Sequence, residues 1–547
     1  MKYTLSVPIP TSQVVEICLE IHCDTEELLS LQLPSWRPGR YEIANYAQYV
    51  KNLAIIGPNG AIAAKKLTKD RWTFTATSSG TYCIRYAFHA AQLDAGGSWV
   101  SPDTFYINFI NLAFSVSGRD DEPIDLQVIL PETYRIGCAL RQVGEQLFQA
   151  GNYQELVDSP LLASAQLEHR RYEVGGGTFH LWVQGKVCFD WEKVMDHFER
   201  FTHTQVEDFG GFPASDYHFL LLLLPFPHYH GVEHRFSTVI TLGPDSFLGS
   251  RTGMDRLMGI CSHELYHFWN VCRIRPRALS PYDFSREAYL TEGLVAEGVT
   301  TYMGDFYLLK SGYYSPQEYV SKLETLFERG FETLGWENQS IAASSFDLWL
   351  DGYKAGVPDK KVSIYTYGAL LCLALDLMLL KKGNRLHQAM KIMWTKYGMS
   401  GVGYGLEDFL DVLREVSENP GQMEDFFENY VWGTRDLFPL LESLLPIIGL
   451  TVRPLKKENR LESEFGLKTA SDGRIIRIHP KSLAFQQLML QDLILSYKFT
   501  DGGLRLSLRR WGKNNDVVLP QSSDAYFVSY RIQFTGSSEL FEKFVRL

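Results

Sequence analysis

The segment "SIYTYGALLCLALDLMLLKKG", residues 363–383, constrains this chain more than any other stretch. It reads as a helix that is apolar on every face, and such a helix has to be enclosed on all sides. The uninterrupted part is too short to cross a bilayer, and Asp376 breaks it. It therefore predicts a core helix, which other elements must surround. With 547 residues, 45% of them hydrophobic, the chain is long enough for about three domains.

The expected fold class is multidomain α+β. Residues 1–168 form the first unit, an N-terminal β domain. Short runs such as "TFTAT", "YCIRYAFHA" and "IDLQVIL" are separated by Gly, Pro and Asp turns, which suits a sandwich. Residues 169–445 form a mostly helical second unit, whose helices follow the buried-strand candidate "YHFLLLLLPF" and a further strand in "EHRFSTVITL". One helix is expected to start near Thr252, with Asp255 three residues on as a capping-box partner. A second is expected from about Ser285 to Lys310, stopped by Gly312. Ser315-Pro316-Gln317-Glu318 announces a third through its cap, its first-turn proline and its third-position glutamate. Residues 446–547 return to short strands and have the size of an independent module.

Composition narrows the partners. The 53 basic and 64 acidic residues give a net charge of −11, with no basic block, so neither nucleic acid nor an anionic membrane is an expected partner. The start, "MKYTLSVPIP", alternates like a strand and lacks the apolar core of a signal peptide. The eight cysteines form no CxxC pair, so free buried thiols and a reducing, cytoplasmic setting are expected.

Chemistry concentrates in "GICSHELYHFWNVCRIRP". His263 and His267 stand four apart and project from the same face of a helix, so both can present a ring nitrogen to one zinc ion. Glu264 lies beside that point, where it can hold and deprotonate a water. Two ordinary helix histidines are the plain alternative. A catalytic zinc needs a third protein ligand and an open position. "TEGLVAEGVTTYMGD" offers Glu297, thirty residues past His267, and also Glu292. Their five-residue offset puts them on different sides of a helix, so one of the two can reach the ion.

"HELYHFWNVCRIRPRALSPYDF" followed by "LVAEGVTTYMGD" resembles the glycyl aminopeptidase family of zinc metallopeptidases. The likeness rests on His263, Glu264, His267, Trp269-Asn270, the run from Arg273 to Pro276, and Glu297-Gly298-Val299-Thr300. "LPSWRPGRYEI" at 33–43 is similar to that family's N-terminal signature. The resemblance implies a β-sandwich-like N-terminal domain, a thermolysin-like catalytic domain and a C-terminal PDZ-like domain. It implies one zinc ion and selects Glu297 over Glu292 as third ligand. It also implies that Glu233, in "HYHGVEHRFST", grips the substrate's α-ammonium. Tyr365, in "SIYTYGALL", would donate its hydroxyl to the oxyanion, with Tyr367 as the nearest rival. Cys272, Leu294 and His230-Gly231-Val232 depart from the family pattern without removing a ligand or the base. "FGLKTASDGRIIRIHPKSLAFQQLMLQDLILSYKF" resembles a worn PDZ domain, whose partner would be a C-terminal peptide.

The expectation is thus a zinc aminopeptidase acting on peptides with a free N-terminus and a small first residue, Gly or Ala. Two alternatives stand beside it: an endopeptidase of the same fold, and a non-catalytic peptide-binding scaffold.

Overall fold

A computed structural model describes residues 1–354, 356–535 and 539–546. The chain is multidomain α+β, with a β-rich N-terminal domain followed by a helical middle domain.

In the N-terminal domain an eight-stranded sheet and two four-stranded sheets share one hydrophobic core. Alternation explains the layering. In the strand Val14–Cys23 the residues Val15, Ile17, Leu19, Ile21 and Cys23 are buried, and the residues between them are more open. This strand runs antiparallel to Gly80–His89 with Ile17 opposite Tyr86 and Leu19 opposite Ile84. On the other face Cys18 and Cys83 form a disulfide, which corrects the expectation of free thiols for these two residues. They are 65 residues apart, and only the strand register brings them together. The premise for a reducing compartment falls with that correction. Of the other six cysteines five are buried and free, and Cys188 is half-buried.

The middle domain opens with a five-stranded sheet built from Glu168–Val174, Gly177–Gln184, Asp216–Leu223, Ser237–Gly243 and His228–Glu233, in that order across the sheet. "EHRFSTVITL" is not one strand. The chain turns at residues 234–236, so Glu233 ends the edge strand and Ser237 begins its antiparallel neighbour. The helix Arg251–Tyr266 lies beside this hairpin. Its cap is Ser250, whose hydroxyl accepts from the Gly253 amide at 3.1 Å, so the start expected near Thr252 is moved back. Asp255 instead pairs with Arg251 at 3.0 Å. The second expected helix also begins later than read. Residues 285–292 lie outside any helix, followed by a π-helical turn, Leu294–Val299, and the helix Thr300–Lys310. The reason is tertiary: the Phe284 carbonyl accepts from the Ser35 amide at 2.7 Å, and that of Asp283 from Trp36 Nε1 at 2.9 Å. These bonds hold the preceding segment against the N-terminal domain. The third helix, Pro316–Gly330, has the full capping box on Ser315 and Glu318.

The apolar segment forms the helix Thr366–Leu380, and almost all of it is buried. Its charge, Asp376, accepts from Arg385 Nε at 2.9 Å and NH2 at 2.8 Å, from the Leu386 amide at 2.7 Å and from the Tyr302 hydroxyl at 2.6 Å. After Leu450 the chain forms strands again. Leu450–Leu455 pairs with Ser529–Phe534, and Leu493–Thr500, Gly503–Arg510 and Lys513–Pro520 form a three-stranded sheet over a small separate core. No helix is long and apolar enough to cross a membrane among the described residues.

Arg385→Met would leave Asp376 charged, buried and without its cation. The expected loss of stability is about 3–5 kcal/mol, read as a lower urea midpoint, whereas an unchanged midpoint would show that the pair contributes nothing.

Candidate metal centre and catalytic cleft

His263 sits in the last turn of the helix Arg251–Tyr266, and His267 sits at its C-cap with helical backbone angles. Their Nε2 atoms face each other 3.0 Å apart. Glu297 comes from the π-helical turn and places Oε2 3.7 Å from His263 Nε2 and 3.5 Å from His267 Nε2. The three donor atoms lie within 4.8 Å of one another. Two glycines make this approach possible. A Cβ on Gly304 would lie 3.1 Å from the Cα of His263, and one on Gly298 would lie 2.9 Å from the backbone of Gly368. The helix Thr300–Lys310 therefore packs closely on the histidine helix. The same crossing sets the start of Thr366–Leu380 next to Glu297, with Tyr365 at its N-cap.

Glu264 is buried, and its Oε2 has no hydrogen-bond partner. Burial pushes its carboxyl up to about 8, with Glu233 and Glu297 adding to the effect and His267 opposing it. Gly231 lies against it: a Cβ there would sit 2.2 Å from Glu264 Oε1. Glu233, on the same edge strand, joins Glu264 and His267 in a second group of donors within 4.8 Å of one another. Its Oε1 is buried and unpartnered. The half-buried Tyr365 has its hydroxyl 3.5 Å from that of Tyr353. Tyr367 instead packs edge-on against Phe331 in the core. Glu292 is turned away from the histidines, its carboxylate accepting from the amide and hydroxyl of Thr291.

The profile of the Peptidase M61 N-terminal domain matches residues 2–165, and that of the M61 glycyl aminopeptidase matches residues 256–371. The chain belongs to the M61 peptidase family. The fold of this M61 peptidase is similar to that of an aminopeptidase N family protein from Idiomarina loihiensis, with a TM-score of 0.91 at 23% identity, covering 99% of each chain. A mutant of a two-domain M1 zinc metallopeptidase, solved with L-arginine bound, is similar at a TM-score of 0.50 and 15% identity, over 81% of this chain and 95% of that one. No curated protein matches the sequence.

The residues of the M61 centre fit a zinc ion. Two imidazoles and one carboxylate are a donor set that zinc favours, and the inward Oε2 of Glu297 is buried without a hydrogen-bond partner. His267 Nδ1–H donates to the Asn270 carbonyl at 2.7 Å, which fixes the tautomer and leaves Nε2 free as a ligand. Asn270 Nδ2 donates to Val295 O at 2.7 Å and to Thr300 Oγ1 at 3.1 Å. The Asn270 and Thr300 of the family motif thus tie the histidine turn to the turn carrying Glu297. Sequence reading did not reach Arg37, Gly39 or Tyr353. They enter through the 33–43 segment and through a contact of Tyr353 OH with the Gly39 carbonyl at 3.4 Å. The only local signal is the "SWRPGRY" run itself.

Asn270→Ala should lower zinc affinity about 10–100-fold, measured by competition with a chromophoric chelator. The metal-free cleft also holds protons. Burial lowers His267, but the Glu297 carboxylate outweighs it and lifts the imidazole to about 10. Zinc uptake near neutral pH should therefore release about one proton or more, and affinity should rise with pH. Calorimetry in buffers of different ionisation enthalpy reads this directly, and a buffer-independent heat would contradict it.

Proposed function

We propose that this M61 peptidase is an aminopeptidase that uses one zinc ion held by His263, His267 and Glu297. When bound there, zinc supplies a Lewis acid that polarises the scissile carbonyl and makes water acidic enough to attack at neutral pH. Glu264 accepts the proton of the attacking water and passes it to the leaving amine. The raised affinity of its carboxyl for a proton, a result of burial, suits that exchange. The Tyr365 hydroxyl, beside Glu297, donates to the carbonyl oxygen as negative charge builds there. Glu233 accepts the α-ammonium of the first residue.

One observation carries the exopeptidase reading. Glu233 has a buried oxygen without a partner, and the space above it is closed by Gly39 of the N-terminal domain. A Cβ on Gly39 would lie 2.4 Å from Glu233 Oε2, and its φ of +73° already disfavours any other residue. A free ammonium fits that closed end, whereas a continuing chain does not. The family description supports glycine as the first residue, and we extend this to a small first residue, Gly or Ala.

We read residues 1–168 as a β-sandwich-like domain, 169–445 as a thermolysin-like catalytic domain and 446–547 as a PDZ-like module. Within that module the Tyr526 amide donates to Ser463 O at 2.9 Å, and Tyr526 is buried. Lys468, Arg477 and Lys481 pair with Glu332, Asp359 and Glu337 at 2.6 Å each. These contacts support a structural cap on the catalytic domain more than a free groove for a C-terminal peptide.

Two measurements test the proposal. Peptides with free N-termini should lose single residues in the presence of zinc, their N-acetylated forms should be inert, and a chelator should abolish turnover; internal cuts would sink the exopeptidase reading. Glu264→Gln should lower kcat by about 10²-fold or more, whereas Glu233→Ala should raise KM for free peptides while bringing free and acetylated substrates closer together.

A further inference from the structure

The oxyanion role given to Tyr365 makes a demand that this residue does not meet alone. A hydroxyl hydrogen rotates to suit its neighbours, whereas a donor to developing charge contributes most when it is already aimed. Tyr365 stands at the N-cap of the helix Thr366–Leu380 and is half-buried, so its own helix does not set that direction. One polar neighbour, Glu297, would be taken by the metal. Another is the hydroxyl of Tyr353, 3.5 Å away.

Tyr353 is held in place from several sides. Its hydroxyl also lies 3.4 Å from the carbonyl oxygen of Gly39, the residue that closes the space above Glu233. The Arg40 guanidinium covers its ring, 5.0 Å from the centroid. Four residues earlier, the Trp349 ring packs edge-on against Trp36 and Tyr41 at 5.1 and 5.9 Å, and its indole N–H donates to Ala288 O at 2.9 Å. One residue later, Lys354 pairs with Glu42 at 2.8 Å. The segment is thus pinned to residues 36–42 of the N-terminal domain, and the Tyr353 hydroxyl stands between Gly39 and Tyr365. Burial pushes this phenol up to about 12, with Tyr365 opposing the effect and Glu297 adding to it, so it keeps its proton at neutral pH.

That one proton has two acceptors within reach and serves one at a time. While Tyr365 donates to a substrate carbonyl oxygen, its own lone pairs are free to accept from Tyr353. Both Tyr353 contacts are long, and catalytic hydrogen bonds commonly tighten only when substrate is bound. Two hydroxyls in series polarise each other, so the first bond strengthens the second.

We propose that Tyr353 is a positioning residue for the oxyanion donor: it donates a hydrogen bond to the Tyr365 hydroxyl and so directs the Tyr365 proton at the scissile carbonyl. The proton stays on Tyr353 throughout. The proposal rests on the reading of Tyr365 given above.

A double-mutant cycle on the full-length, zinc-loaded enzyme, with alanine p-nitroanilide as substrate, tests it. Tyr353→Phe should lower kcat by about tenfold at nearly constant KM. In the Tyr365→Phe background the same change should leave kcat within about twofold. Equal losses in the two backgrounds, or a loss carried by KM, would mean that Tyr353 only shapes the cleft, and would overturn the proposal. Should Tyr353→Phe not fold, 3-fluorotyrosine at position 353 decides, because it keeps the shape of the side chain and makes the phenol a stronger donor. It should raise kcat where Tyr365 is present and not in Tyr365→Phe; an unchanged kcat counts against the proposal. If Tyr365→Phe by itself leaves kcat intact, the oxyanion reading fails and takes the proposal with it, a result distinct from equal losses in both backgrounds.

Discussion

Three carboxylates, Glu233, Glu264 and Glu297, are buried around two imidazoles, and the rest of the molecule is arranged to make that concentration of negative charge tolerable. Ionised groups removed from water cost several kcal/mol each unless cations or donors face them. Few such partners are present inside the cleft. Glu264 Oε2, Glu233 Oε1 and Glu297 Oε2 all lack a hydrogen-bond donor. Each carboxylate is therefore incomplete until something positive arrives, and the three proposed arrivals differ. Glu297 would complete a metal, Glu233 an ammonium, and Glu264 a proton in transit.

Holding these groups requires backbones closer than ordinary helix packing allows. The Gly298–Gly368 and Gly304–His263 contacts remove the side chains that would otherwise set the spacing. The π-helical turn at Leu294–Val299 then orients Glu297, as an inserted residue in a helix commonly does at functional positions. The buried helix Thr366–Leu380 forms the floor against which the turn rests, and the buried Asp376–Arg385 pair fixes the end of that helix remote from Tyr365.

What was legible beforehand was local. The four-residue spacing of His263 and His267, the Ser315 capping box and the enclosed apolar helix each depend on neighbours within one or two turns. What was not legible depended on distant partners. Cys18 meets Cys83 through strand register, which no cysteine spacing encodes. Residues 285–293 carry a pattern read as helical, yet Ser35 and Trp36 take the carbonyls of Phe284 and Asp283 just before them. The choice between Glu292 and Glu297 needed motif knowledge, because spacing alone does not say which side of a helix faces the metal; in the structure Glu292 bonds Thr291 instead.

The N-terminal domain is part of the cleft as well as a support for it. Trp36 is fully buried, with its ring 5.1 Å from Trp349 and 6.0 Å from Tyr282, and its indole N–H is bonded to Asp283 O. That anchor fixes Arg37 on one side and Gly39 on the other. Because Gly39 lies against Glu233 and Arg37 lines the same cavity, the β domain supplies the wall that ends the cleft. A helical middle domain without it would keep His263, His267, Glu297 and Glu264, but its cleft would be open beyond Glu233. In the proposed aminopeptidase, the distinction between trimming a chain from its end and cutting within it would be set by a loop about 225 residues from Glu264 in sequence, which is why the histidine motif does not encode it.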